Sequence, residues 1–146
     1  MKRFVGLILL FISVAAQAQL ANAVTDNHWV GTWATAQQPV VKSFMPYNNN
    51  MSGRSVRQIV KVSIGGKQLR LELSNELSRE PLVIRSVYIA HAADSFVIVP
   101  STAKYLTFGG RYNTVIPAGK AAFSDALNFD LQPLEKLAIT INYTKA

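Results

Sequence analysis

The sequence contains no cysteine. A chain without thiols has no disulfide, no thiolate nucleophile and no Cys-ligated zinc, so a hydrophobic core must hold it folded. Histidine is nearly as scarce, with only His28 and His91. Two imidazoles and eight scattered carboxylates supply no set of three metal ligands plus water, and neither a metal nor a cofactor is expected. Basic residues are dispersed: Lys42, Arg54, Lys67, Arg85, Arg111 and Lys136 lie far apart along the chain. The formal net charge of +7 therefore lacks the stripe that nucleic-acid binders build, and no nucleic-acid partner is expected. A long apolar run is missing as well. The best one, FVGLILLFISVAA at residues 4–16, is shorter than the roughly 20 residues that span a bilayer.

That run has the layout of a cleavable secretory signal peptide. Lys2 and Arg3 precede it, and small residues follow in two A-x-A settings, Ala16-Gln17-Ala18 and Ala21-Asn22-Ala23. The expected organisation is a signal peptide over residues 1–23 and one domain over residues 24–146. The protein would be secreted or periplasmic, with no membrane association after cleavage. Loss of Lys2 and Arg3 leaves 13 basic against 8 acidic residues, a modest positive excess.

Past residue 23 the apolar residues recur at every second position, and helical spacing is not sustained anywhere. The pattern predicts an all-β fold of seven or eight short strands, an antiparallel β-sandwich of jelly-roll-like type. The clearest expected element is a hairpin, residues 56–64 and 67–73 closed by Gly65-Gly66. That turn would pair Val62 with Leu69, Val60 with Leu71 and Gln58 with Leu73, making the apolar faces coincide. Arg57, Lys61, Arg70 and Glu72 would occupy the opposite face. Further strands are expected at residues 82–90, 96–100, 104–108, 113–116, 123–131 and 137–143. Glu80-Pro81, Gly109-Gly110 and Pro117-Ala118-Gly119 read as turns between them. Residues 37–54 (QQPVVKSFMPYNNNMSGR) form a long loop, which in a compact domain is usually functional or disordered.

Serine hydrolysis needs a serine on a strained turn, a histidine to take its proton and a carboxylate to orient that histidine. No G-x-S-x-G or Gly-Asp-Ser is present. Ser63 falls in the expected hairpin strand, Asp26 and His28 lie near the mature N-terminus, and His91 and Asp94 are expected to cap a turn. The Gly-Gly pairs close turns and do not open helices, so they provide no phosphate cradle. Trp29 and Trp33 are the candidate binding residues. On an extended segment both indoles and Gly31 between them share a face, and such flat plates either stack on a sugar ring or fill a core. Asn50-Met51-Ser52 and Asn142-Tyr143-Thr144 match the glycosylation tripeptide, a match common by chance.

Several runs together resemble a known family. HWVGTWATAQQP (residues 28–39), VRQIVKVSIGGKQLRLELSNELSREPLVIRSVYIAHA (56–92), LTFGG (106–110) and VIPAGKAAFSDALNFDL (115–131) are similar to the N-terminal part of secreted SGNH hydrolases, the GDSL-type esterases and lipases. The resemblance covers almost all of residues 24–146 in one order, including Trp29, Gly31, Trp33, Arg57, Gln58, Ser74 and Asn75. It implies an all-β region ahead of an α/β catalytic domain that carries a Ser-His-Asp triad and an oxyanion hole. The Gly-Asp-Ser, oxyanion and Asp-x-x-His blocks of that domain are not in this sequence, so no catalytic residue carries over and a truncated product is expected. The expected function is the accessory region of an exported ester hydrolase that deacetylates carbohydrate esters, with the downstream α/β domain and polysaccharide as partners. The competing expectation is a free-standing carbohydrate-binding or structural sandwich.

Overall fold

The computed structural model describes residues 28–39, 41–47 and 50–146. The expected signal peptide, its cleavage site and Asp26 lie outside the described residues. The chain divides after Gly31, and residues 28–31 are exposed and belong to no helix or strand. The unit from Thr32 onwards is all-β. Its strands are β1 (Ser55–Lys61), β2 (Gly66–Leu69), β3 (Glu72–Ser74), β4 (Leu82–Asp94), β5 (Val97–Ile98), β6 (Lys104–Leu106), β7 (Thr114–Ile116), β8 (Ala121–Phe123), β9 (Leu127–Leu131) and β10 (Lys136–Lys145). Among the described residues the only helical pieces are short 3-10 turns such as Lys42–Phe44 and Pro100–Thr102.

Every strand pairing is antiparallel. One layer is a six-stranded sheet in which β10 lies between β1 and β4, with β5, β6 and β7 paired along the far side of β4. The facing layer consists of the pairs β2-β9 and β3-β8. The result is a β-sandwich, jelly-roll-like in placing the first strand beside the last. β2 and β3 meet β9 and β8 almost continuously, because Ser124 bridges the gap: its amide donates to Leu71 O at 2.8 Å and its Oγ accepts from Leu71 N at 2.9 Å.

Alternation fills the core. In register across the first layer, Val60 meets Leu137, Ile139 meets Ile89, and Ile141 meets Val87, which in turn meets Leu106. All of these are buried, and Phe129 and Leu131 close over them from β9, with Leu69, Leu71 and Leu73 packed alongside. Each such side chain contributes about 1.5–3 kcal/mol on burial, the term that must replace the missing disulfides. Ile84 and Val87 are both buried although three positions apart. A register shift opposite Asn142/Tyr143 inserts a bulge there and returns both side chains to the core.

The expected hairpin at Gly65-Gly66 is not formed. β1 pairs with β10 and β2 pairs with β9, so the chain leaves one layer at Lys61 and enters the other at Gly66. A two-residue type I′ turn needs positive φ at both central residues, and neither Gly65 nor Gly66 has it. Gly65 serves close approach instead: a Cβ there would lie 2.2 Å from Leu131 O and 3.0 Å from Pro133. Thr32 staples the corner, accepting from Ser63 N through its carbonyl and from Ile64 N through Oγ1, both at 3.0 Å. The apolar faces of both strands do look into one core, but across it and not side by side. Gly109-Gly110 is the pair that makes such a turn, with φ of 58° and 78° and Phe108 and Arg111 bridged across it.

Candidate functional site

The side of the six-stranded sheet turned away from the core carries the most ordered polar arrangement in the sandwich. Register places its side chains in rows. Arg57 on β1 lies opposite Thr140 on β10, Thr140 opposite Tyr88 on β4, and Tyr88 opposite Tyr105 on β6. With strands about 4.8 Å apart, this row extends roughly 14 Å across the sheet. A parallel row joins Ser55, Asn142 and Ser86: the Ser55 hydroxyl hydrogen-bonds Asn142 Oδ1, and Asn142 Nδ2 donates to Ser86 Oγ at 2.8 Å. On the other flank Ile59 is level with Ala138 and Ala90, and Lys61 with Lys136. Ala90 and Ala138 are wholly covered and Thr140 is 4% exposed, so small side chains floor a strip walled by Arg57, Ile59 and Tyr88.

Arg57 is fixed along this row. Its Nε donates to Thr140 Oγ1 at 2.9 Å, one terminal nitrogen to Phe96 O at 3.0 Å and the other to Tyr88 Oη at 2.7 Å. All three acceptors are neutral. A guanidinium has five N–H groups, so two remain for solvent or a ligand. Among the described residues no carboxylate lies within ion-pair distance of Arg57, Lys61 or Lys136. Hydrogen bonding from Thr140 first, and then Arg57, holds the Tyr88 phenol below the ordinary tyrosine value. Tyr88 leans on Tyr105 with ring centroids 5.5 Å apart, and Tyr105 meets Tyr112 edge-on at 5.7 Å. Tyr105, Tyr112 and Phe96 are 54%, 60% and 70% exposed. The arrangement can stack flat rings and donate charged hydrogen bonds.

The residues expected from sequence fall elsewhere. Trp29 belongs to the segment ending at Gly31 and Trp33 to the unit beginning at Thr32; they are 44% and 42% exposed. His28 is exposed. His91 lies inside β4 and not after it, whereas Asp94 is the last residue of that strand and flanks the Ser95-Phe96 turn opposite Val97. His91 lies on the core side, its ring 4.7 Å from Phe129 and its Nδ1 next to Glu135 Oε1 without hydrogen-bond alignment. Ser63 Oγ donates to Thr32 O at 3.0 Å, an ordinary structural bond. Asn75 is a structural hub: Nδ2 reaches Glu80 O, Ile116 O and Pro117 O at 2.8–3.2 Å, tying the β3–β4 loop to the turn after β7. Gly109 and Gly110 point their amides at the Asp125 carboxylate at 3.0 and 2.8 Å, so that small anion cradle is filled by the protein itself.

A cavity of about 500 Å³ is lined by Met45, Met51, Val56, Pro81, Leu82 and Tyr143. Burial pushes the Tyr143 phenol up. Among the described residues no three His, Asp or Glu side chains gather as a metal site, and no helix is long and apolar enough to cross a membrane.

Sequence reasoning placed Arg57 and Lys61 on the face opposite the apolar one but did not find the row. The available signal was Tyr88, between the core residues Val87 and Ile89, where alternation sends it outward. No protein-family model matches the chain, and no curated protein matches it.

Proposed function

We propose that this protein is the carbohydrate-engaging accessory β-sandwich of an exported SGNH/GDSL-type ester hydrolase, and that an α/β domain downstream in the same protein supplies the Ser-His-Asp chemistry. The observation that carries the carbohydrate part is the Arg57–Thr140–Tyr88–Tyr105 row. It offers exposed aromatic faces at one end and a fixed fork of donors at the other, set above small side chains that the larger groups cover, and aromatic faces with oriented donors are what protein surfaces use to hold sugars. The hydrolase part rests on the resemblance, whose 56–92 run contributes β1 to β4. In the whole enzyme the sandwich would hold the polysaccharide while the catalytic domain removes acyl groups, by serine attack with histidine as base and donors at the oxyanion. Reading the coding frame beyond Ala146 tests the second part, with a Gly-Asp-Ser block as the expected result.

Two measurements on the protein test the reading directly. Co-sedimentation with insoluble polysaccharide should retain it, and Tyr105→Ala should release it without lowering its unfolding midpoint; retention unchanged by Tyr105→Ala would remove the row from consideration. The chain alone should hydrolyse a small activated ester no faster than buffer, because a serine becomes nucleophilic only beside a base. Turnover abolished by His91→Ala would overturn the accessory role.

A further inference from the structure

The charge on the outer face goes further than sugar stacking in general. Arg57 is held by three neutral acceptors and keeps two N–H groups unused. Arg57 is exposed, so these two N–H groups face solvent and are open to an acceptor from outside the protein. Lys61 and Lys136 stand side by side in register on the same face, an unfavourable pairing for the folded protein alone. On the three strands that carry this face the only acidic residue is Asp94, two residues before Phe96, and among the described residues it forms no ion pair with Arg57, Lys61 or Lys136. Three cations on one side of the sheet, two of them juxtaposed, beside three tyrosine rings, make a surface that is incomplete without an anion bearing flat rings.

We propose that the outer face binds an acidic polysaccharide, with Arg57 receiving the carboxylate of a uronic acid residue and Tyr105 and Tyr112 stacking on neighbouring sugar rings. This rests on the carbohydrate reading above and names the class of chain it takes. The planar fork suits a carboxylate better than a hydroxyl, since two parallel N–H donors meet two oxygens. Lys61 and Lys136 sit four residues along the strands from Arg57 and Thr140, roughly 14 Å at about 3.4 Å per residue, and meet anionic groups further along an extended chain. Binding should therefore weaken with salt.

The test uses the full exported protein and two probes with one backbone: polygalacturonate, and the same polymer with its carboxyls methyl-esterified. Polygalacturonate should bind about tenfold or more tightly, the size expected from one charge-assisted contact. Arg57→Gln should remove most of that advantage, lowering affinity for polygalacturonate by about tenfold and affinity for the esterified polymer by a clearly smaller factor. Should Arg57→Gln unfold, which far-UV circular dichroism reports, the exposed pair Lys61→Gln/Lys136→Gln carries the same expectation with a smaller loss. Equal binding of both polymers would overturn the acidic-ligand assignment and leave the carbohydrate reading standing; binding of neither would overturn both. Single-stranded DNA bound as tightly as polygalacturonate, with the same dependence on Arg57, would replace a uronate site by a general polyanion site and refute the proposal.

Discussion

Gly65→Ala should destabilise the protein severely while Gly66→Ala, one residue on, should not. The difference follows from where the two Cβ atoms would go. At Gly65 the new carbon would stand 2.2 Å from Leu131 O, more than 1 Å inside ordinary contact, against backbone that cannot rotate away. Relief requires the corner and the end of β9 to separate. Overpacking of this kind costs about 1–3 kcal/mol, and loosening the Gly66–Leu131 rung adds about 1 kcal/mol for a lost hydrogen bond. Stiffening the unfolded chain returns about 0.4–1 kcal/mol, leaving a net loss of about 1–4 kcal/mol. With a urea dependence of about 2 kcal/mol/M, the midpoint should fall by about 0.5–2 M.

At Gly66 the nearest atom to a Cβ is Gln68 O at 3.5 Å, an ordinary contact, and φ is not positive. Only the unfolded-state term remains, so the midpoint should hold or rise slightly. Gly110→Ala provides the scale for a true turn glycine. Its φ is 78° with nothing within 4 Å of a Cβ, so about 1–2 kcal/mol of left-handed strain is the whole cost. Urea titrations followed by tryptophan fluorescence measure all three. Equal losses at residues 65 and 66, each near that of Gly110→Ala, would mean that Gly65-Gly66 closes a hairpin after all and that the crossing between layers is wrong. A neutral Gly65→Ala would refute the close approach to Leu131.

Other perturbations probe the packing and the loops. Ile89→Ala, at a side chain 1% exposed in the middle of the core, should cost about 2–5 kcal/mol in the same titration. Asn75→Ala strips the donor from Glu80 O, Ile116 O and Pro117 O; it should cost about 1–3 kcal/mol and expose the β3–β4 loop to limited proteolysis. Asp125 is held below the ordinary carboxylate value by Thr107 first, then Gly110 and Gly109. Its contribution is complete above the unfolded value of about 3.9 and is lost as pH falls through the lower folded value. Melting temperatures from pH 6 down to pH 2 should therefore show wild type and Asp125→Asn converging at the acid end.

Fold class was legible because alternation reports burial, and the burial it reports is real for Val60, Val62, Leu69, Leu71 and Leu73. Pairing was not legible for the same reason. A period of two states which side of a strand faces the core; it is silent on whether the next strand lies beside it or across from it. For residues 56–73 both arrangements bury the same side chains, and the Gly-Gly pair favoured the wrong one. The two such pairs differ in surroundings: Gly109-Gly110 has open space where a Cβ would go, whereas Gly65 faces Leu131 O, a partner 66 residues along the chain. The strand expected at 123–131 is broken for a comparable reason, since Ser124 turns its hydroxyl and amide to Leu71.

The outer row was hidden by distance in sequence more than by chemistry. Arg57 and Tyr88 each face outward by their own alternation, but they meet only because β10 enters between β1 and β4 and brings Thr140 within reach of both. The clue lay in β10 itself. Its run Leu137-Ala138-Ile139-Thr140-Ile141 is buried at every position, so it is a central strand covered on both faces, with small residues on one of them. Small side chains outward mean that something larger leans over them from the neighbouring strands, and on this protein the larger groups are a guanidinium and a phenol. A central strand with one bulky and one slender face therefore predicts a lined floor on the slender side. Here that side carries cations unmatched by acids, and an acidic ligand follows from the charge, not from the fold.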